Sequence, residues 1–324
     1  MARALVTGGG GFIGSYLVKA LVREGWEVVC VDNGLRSDAT RLASVRKEVE
    51  FAACDVRDEE GLHTRMRKAQ LVCHLAAING TENFYKNPEL VLDVGVRGML
   101  AVMAACRRAE VPDLVVASSA EVYHQPRQIP TDETTALMVP DGRNPRYSYA
   151  GSKIVSELIA LHYAPQEFRK VQIFRPHNVY GPAMGWKHVI PQFLARARQL
   201  KEAGNNRFEI QGDGQQTRAF AYIDDIVRGI LTMYHQGATR EIYHIGNDKE
   251  VRISDLVALV AEACDVPLKL APGPAAEGAP TRRCPDISKM RALGYAPQID
   301  IAEGLKRTAA WYRDQPPPAA DALL

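Results

Sequence analysis

The chain predicts a doubly wound α/β fold, a parallel sheet covered by helices on both faces, with a smaller α/β cap. Three observations carry this. Short apolar runs alternate with amphipathic stretches as far as residue 175. A run of glycines separates the first apolar run from the first amphipathic stretch. After Pro176 the alternation breaks into loops, helices and short strands. Apolar runs without inside–outside alternation suit a sheet buried on both sides, and parallel strands need helical crossovers between them.

In chain order, ALVT (4–7), EVVCVD (27–32), VEFAAC (49–54), LVCHLA (71–76), LVVASS (114–119) and VQIFRP (171–176) are predicted strands. FIGSYLVKALVRE, PELVLDVGVRGMLAVMAACRRA and SYAGSKIVSELIALHYA are predicted helices between them. The short strands FEIQG (208–212) and EIYHIG (241–246) follow, the second where the chain returns to the main sheet. Residues 1–175, with the return at about 222–246, form the expected main domain; 176–221 and 247–315 form the cap. The stretch at 267–280 is expected to be an exposed loop because of its proline and glycine content, and 316–324 a disordered tail.

The 324 residues are 46% hydrophobic and 24% charged, enough for a large core. The net charge is +2, with Lys and Arg scattered, so a nucleic-acid partner is not expected. No apolar run approaches the roughly 18 residues of a membrane span, and the first strand leaves no room for a signal peptide. The six cysteines (Cys30, Cys54, Cys73, Cys106, Cys264, Cys284) form no C-x-x-C pair and suit buried positions in a reducing compartment. A cytoplasmic protein without a metal site is expected.

Gly8, Gly9, Gly10 and Gly11 follow the first strand, and Gly14 lies one turn into the first helix beyond Phe12 and Ile13. Positions 9, 11 and 14 satisfy G-x-G-x-x-G; 8, 11 and 14 satisfy G-x-x-G-x-x-G. Glycine lets backbone approach a pyrophosphate, and a helix N-terminus offers free N–H groups and partial positive charge. Asp32, followed by Asn33, ends the next strand 18 residues beyond Gly14. A carboxylate there accepts both ribose hydroxyls and repels a 2′-phosphate, so the cofactor is expected to be NAD rather than NADP.

Tyr149 and Lys153 form Y-x-x-x-K on one predicted helix, where residues four apart share a face. Isolated, such a pair is ordinary surface. Here it follows the strand ending in Ser118 and Ser119, whose hydroxyl can hold a substrate oxygen beside the phenol. A phenol titrates near about 10; an adjacent ammonium and an oxidised nicotinamide would stabilise its phenolate as a base.

With these residues in hand, the chain resembles the extended short-chain dehydrogenase/reductase family of nucleotide-sugar epimerases, dehydratases and decarboxylases. The resemblance runs through TGGGGFIG (7–14), Asp32, CDV (54–56), HLAA (74–77), SSAEVY (118–123), YAGSK (149–153), RPHNVYGP (175–182), GDGQQTRAFAYIDD (212–225) and RRCPDISK (282–289). It implies that Tyr149 is the base on a sugar hydroxyl, that Lys153 tunes it and holds the nicotinamide ribose, and that Ser119 assists. It further implies that Asp55 and Val56 line the adenine pocket, with Leu75, Ala76 and Ala77 along the phosphates and ribose. Asn178 resembles the residue that holds the substrate diphosphate or sugar, and Arg218 and Arg283 resemble anchors of the nucleotide half. The substrate implied is a nucleotide-diphosphate-sugar, and the family's usual assembly is a homodimer built on the helices around residues 88–108 and 148–164.

Two departures stand out. Gly95 occupies a position where the family commonly has Asn, and His177 one where many relatives have Phe. His177 either packs beside the cofactor or touches substrate.

Oxidation at one sugar carbon acidifies its neighbours, so a second base decides between epimerisation, elimination and decarboxylation. Glu121, expected on the same strand face as Ser119, is the candidate; its alternative is a solvated or salt-bridged strand-end carboxylate. Glu at this place resembles the 4,6-dehydratases and UDP-glucuronate decarboxylases, but Ala120 stands where the dehydratases have Asp. The second half is similar to GDP-mannose 3,5-epimerase, with Lys187, His188 and Val189 as candidate substrate contacts. The expected function is an NAD-dependent nucleotide-sugar epimerase, with dehydratase, decarboxylase and a non-catalytic NAD sensor as alternatives.

Overall fold

The computed structural model describes residues 1–35, 37, 39–163, 165–274 and 281–316. Its first half runs β1 (Arg3–Thr7), α1 (Phe12–Arg23), β2 (Glu27–Asp32), β3 (Val49–Ala53), α2 (Glu59–Met66), β4 (Leu71–His74), α3 (Thr81–Lys86), α4 (Pro88–Leu92), one π turn (Asp93–Arg97), α5 (Gly98–Arg108), β5 (Asp113–Ala117), α6 (Ser148–His162) and β6 (Lys170–Pro176). The second half runs β7 (Val179–Tyr180), α7 (Val189–Glu202), β8 (Arg207–Gln211), β9 (Thr217–Ala219), β10 (Ala221–Tyr222), α8 (Ile223–Gln236), β11 (Glu241–Ile245), β12 (Glu250–Arg252), α9 (Ile253–Cys264), β13 (Lys269–Gly273), β14 (Arg282–Arg283), α10 (Ser288–Arg291) and α11 (Ile301–Arg313).

Among the described residues, seven strands form one parallel sheet in the order β11-β6-β5-β4-β1-β2-β3. The chain winds outward from β1 through β2 to β3, then resumes at β4 on the other side of β1. That reversal leaves a crevice at the C-terminal ends of β1 and β4, where such sheets bind ligands. The runs predicted from apolar composition are the strands of this sheet, and successive residues on both of its faces are covered: Leu5, Val6, Val28 and Val29 are all fully buried. One face packs on α1 and α8 through Leu17, Leu21, Ile226 and Ile230; the other packs on α2 and α5 through Leu62, Met66, Val102 and Cys106.

The structure corrects several expectations. The strand expected at 114–119 ends at Ala117, and residues Ala120–Tyr123 form a 3₁₀ turn. Ser119 caps that turn, its Oγ accepting from the Glu121 N–H at 3.1 Å. Glu121 therefore does not share a strand face with Ser119; the cap, which competes with the ladder for backbone donors, turns the chain. The single helix expected at 88–109 is interrupted by the π turn. Within the loop expected at 267–280, Lys269–Gly273 pairs in parallel with β8, its exposed edge tolerating Pro272. Residues 275–280 and 317–324, including most of the expected tail, lie outside the described residues.

Beneath the sheet ends, Arg175 on β6 and Glu157 on α6 form a buried bidentate pair at 2.8 and 2.6 Å. Ser118 Oγ donates to the same carboxylate, Arg175 reaches the Tyr123 hydroxyl, and that hydroxyl lies 2.6 Å from His244 Nε2. The pair locks α6, which carries Tyr149 and Lys153, to β6.

Candidate active site

A cavity of about 510 Å³ opens at the crevice beyond β1 and β4, within the range of small-molecule sites. Its first wall is the turn after β1. Gly8 has φ +69°, and a Cβ there would lie 2.8 Å from Ala76 N and 2.9 Å from Ala76 Cα. A Cβ at Gly14 would lie 2.1 Å from Gly8 O, so α1 can start this close to β1 only without a side chain. Gly11, Phe12 and Ile13 complete this wall. The α1 N-terminus thus presents backbone to the cavity, a cradle suited to a pyrophosphate.

Asp32, at the end of β2, also lines the cavity. Its two carboxylate oxygens accept from Gly10 N at 3.1 Å and Gly34 N at 3.0 Å. Asn33 donates to Asp55 at 3.0 Å, and Arg57 clamps Asp55 at 2.8 and 2.7 Å. The hydrogen bonds from Arg57 chiefly hold the Asp55 carboxyl far below the usual range. Val56, Leu75, Ala76 and Ala77 line the same end.

At the other end stand Tyr149, Lys153, Ser119 and Glu121. Helix α6 carries Tyr149 and Lys153 on one face; the ammonium lies 5.9 Å from the phenol ring centroid. Lys153 is 3% exposed and donates to Ala117 O, at the end of β5, at 2.7 Å. Burial lowers its pKa to about 8, with Glu157 opposing the shift. Phe84 of α3 stacks on Tyr149, with ring centroids 5.2 Å apart.

Arg283 on β14 enters the cavity and donates to Glu121 at 2.5 Å. Burial pushes the Glu121 carboxyl up, but Arg283, Arg146 and His124 outweigh it and leave it below its ordinary value. Asn178 also lines the cavity, its amide donating to Ala219 O at 3.0 Å. Lys187 and His188 do too, with Lys187 ion-paired to Glu82 of α3.

Three predicted contacts do not line this cavity. Val189 is the first residue of α7 and packs on the core. Arg218 stands in register with Arg283 on the adjacent strand and donates to Thr217 O at 2.7 Å; burial, then Arg283, lowers its pKa to about 10. His177 is buried behind the cavity, 4.6 Å centroid to centroid from His244, and burial holds it neutral with a pKa well below the usual imidazole value. Sequence reasoning missed Phe84, Arg146 and Glu82. TENFYK gives no signal that Phe84 reaches residue 149, because that contact exists only once α3 folds over the cavity.

A parallel doubly wound sheet with a glycine turn, a strand-end carboxylate and a Tyr/Lys helix at its switch point defines a nicotinamide-dinucleotide enzyme. The model of the NAD dependent epimerase/dehydratase family matches residues 4–246. The chain is 30% identical to a putative UDP-glucose 4-epimerase of Methanocaldococcus jannaschii, over 96% of this chain and 98% of that protein. It is 28% identical to a UDP-N-acetyl-alpha-D-glucosaminuronate decarboxylase of Bacillus cytotoxicus, over 96% and 98%. The crystal structure of a dTDP-glucose 4,6-dehydratase from Streptomyces venezuelae with NAD bound matches with a TM-score of 0.84 and 29% identity, covering 97% of each chain. The chain belongs to the NAD dependent epimerase/dehydratase family, and its cofactor is NAD. Among the described residues, no helix is long and apolar enough to cross a membrane.

Proposed function

We propose that this protein is a nucleotide-sugar epimerase that oxidises its sugar transiently and reduces it again with the same bound NAD. The observation that carries this reading is that Tyr149, Lys153 and Ser119 open on one cavity with the glycine turn after β1. Residues 1–175 with 222–246 hold the dinucleotide in this reading, and 176–221 with 247–315 hold the nucleotide-sugar. The pyrophosphate lies on the α1 N-terminus, the adenosine ribose on Asp32 and the nicotinamide ribose on Lys153. When bound, NAD supplies the hydride acceptor for the sugar carbon and returns the hydride.

The remaining work belongs to side chains. Tyr149, as phenolate, takes the proton of the sugar hydroxyl, and the Lys153 ammonium stabilises that charge in a site with little water. Ser119, its oxygen already accepting from Glu121 N, still has its hydroxyl hydrogen to give to the substrate oxygen. Arg283 and Asn178 hold the diphosphate. A diphosphate competing for Arg283 frees Glu121 to act as the second base, with Lys187 or His188 opposite. Arg218, in register with Arg283 on the next strand, adds a second positive charge behind it, and His177 packs behind the site.

One observation favours a second reading, decarboxylation of a nucleotide-uronate: Arg283 and Arg146 both lie near Glu121, so the sugar end of the cavity is rich in positive charge. Mass spectrometry of the native protein with a panel of nucleotide-sugars distinguishes the outcomes. An isomeric product, resolved from its substrate by chromatography and gaining deuterium from heavy water only at a carbon that Glu121 deprotonates, supports epimerisation; loss of carbon dioxide supports the second reading; loss of water indicates a dehydratase. No conversion of any substrate, with NAD retained, points to a sensor.

The exposed apolar residues Leu92, Leu100, Val155 and Leu158 on α4, α5 and α6 support a homodimer through these helices, because burying such side chains against a second copy is favourable. The six unpaired cysteines suit a cytoplasmic enzyme of carbohydrate biosynthesis.

A further inference from the structure

Three consecutive carbonyls beyond β7 are each held by a side chain from another element. The Tyr16 hydroxyl on α1 donates to Pro182 O at 3.2 Å, Arg41 Nε donates to Ala183 O at 3.1 Å, and the Tyr312 hydroxyl on α11 donates to Met184 O. Ala183 itself has φ +63°, a left-handed conformation that a residue with a Cβ keeps only where its surroundings fix it. The segment then passes along the cavity: Met184, Gly185, Lys187 and His188 line it, and Lys187 is paired to Glu82 of α3. Residues 182–188 thus form a strap that belongs to the cap but is tied to the cofactor half through Tyr16, Arg41 and Glu82.

Of these ties, Arg41 reaches furthest into the cofactor site. It is half-buried on a 3₁₀ turn (Ala39–Val45) between β2 and β3, and it lines the cavity. Its Nη1 donates to Gly10 O at 3.2 Å while its Nε holds Ala183 O. Gly10 N in turn donates to Asp32 Oδ2 at 3.1 Å. Three hydrogen bonds therefore run from the carboxylate assigned to the adenosine ribose, through the glycine turn and one guanidinium, to the strap. A guanidinium suits this post because its donors are set in a rigid fork that can bridge two carbonyls at once.

We propose that Arg41 is a positioning residue that couples the two ligand sites. NAD on Asp32 and the glycine turn fixes Arg41, Arg41 fixes the strap, and the strap presents Lys187 and His188 to the nucleotide-sugar. This rests on the ligand placements given under Proposed function. Such coupling is reciprocal, so a nucleotide bound beside the strap holds NAD in as firmly as NAD prepares the nucleotide site. Hydrogen bonds of ordinary net strength make the effect about tenfold.

The test follows NAD leaving the purified holoprotein, with alcohol dehydrogenase and ethanol turning released NAD into fluorescent NADH, before and after UDP, GDP or dTDP is added. Titration calorimetry identifies which of the three binds. In the wild type, that nucleotide is expected to slow NAD release about tenfold. Arg41→Met should release NAD faster on its own and cut the nucleotide's effect to about twofold or less. A nucleotide that binds the wild type without slowing NAD release overturns the inference. So does a tenfold slowing retained in Arg41→Met, which would leave Arg41 as a cofactor contact and nothing more. Should Arg41→Met fail to fold, Tyr16→Phe decides, because it cuts the Pro182 tie with a ring that does not line the cavity. Faster NAD release, by about threefold, supports the strap; a wild-type rate overturns it. If no nucleoside diphosphate binds the wild type, the proposed function falls by itself, and NAD release from Tyr16→Phe still decides this inference.

Discussion

Arg283 and Glu121, 162 residues apart in sequence, meet inside the cavity as an ion pair at 2.5 Å. The carboxylate that is the candidate second base is thus held by the cation that is the candidate diphosphate anchor. Binding and base release are linked through one guanidinium, and the two residues can be tested separately.

Glu121→Gln removes the base but keeps the shape. Turnover is expected to fall at least a hundredfold, the lower end of what a positioned acid or base contributes, roughly 10²–10⁴. NAD content stays at the wild-type level. An absorbance spectrum with the converted substrate should show reduced cofactor accumulating; a variant with full turnover removes Glu121 from the mechanism.

Arg283→Ala acts on both partners. Losing hydrogen bonds to a charged group costs about 1.5–3 kcal/mol each, so KM should rise between about tenfold and a hundredfold. Glu121, held below its ordinary range largely by Arg283, loses that support and its pKa rises. A carboxylate needed in its ionised form then requires higher pH, so the acidic limb of kcat/KM moves up. Steady-state profiles across pH check both effects.

Lys153 carries the clearest pH signature. Burial lowers its pKa from 10.5 to about 8, so the ammonium that supports Tyr149 is present below that value and lost above it. Activity should decline on the alkaline side from about pH 8. For stability the sign is opposite: the native state disfavours the proton, so the penalty is full below about 8 and fades as pH rises towards 10.5. Lys153→Met without cofactor should therefore melt a few degrees higher than wild type at neutral pH while losing activity. A lower melting temperature contradicts the burial argument.

Glu157→Gln tests the buried pair. It leaves Arg175 charged and 2% exposed beside a neutral amide. Breaking such a pair one-sidedly costs about 3–5 kcal/mol, measurable as a lower urea midpoint with an unchanged slope. Replacing both partners together should cost less than the single change.

Much of the sheet was legible because its strands are uninterrupted apolar runs bounded by glycine, proline or charge, and the glycine turn follows the first of them. What failed was local competition that composition does not reveal. Ser119 reads as the end of a strand, but its side chain caps the next turn and redirects Glu121. The π turn leaves the apolar spacing of 88–109 nearly intact, so periodicity passes over it. Pro272 and Gly273 read as loop, yet the pairing of 269–273 with β8 needs only one edge. In the cavity, Tyr149, Lys153 and the glycine wall were readable from spacing. The meetings of Phe84 with Tyr149, Glu82 with Lys187 and Arg283 with Glu121 span up to 162 residues; the first depends on how α3 folds over the cavity, the others on how the chain after β6 folds back.

Strand β11 pairs with β6 although the elements β7 to β10 lie between them in the chain. A gene fragment ending at 175 would therefore lack the outermost strand of its own sheet and would bare the β6 backbone. Chimeras that exchange caps between relatives of this protein thus cannot be made with a single crossover. They need one junction after β6, a second before α8 and a third after β11, so natural recombination at one breakpoint would seldom yield a foldable hybrid.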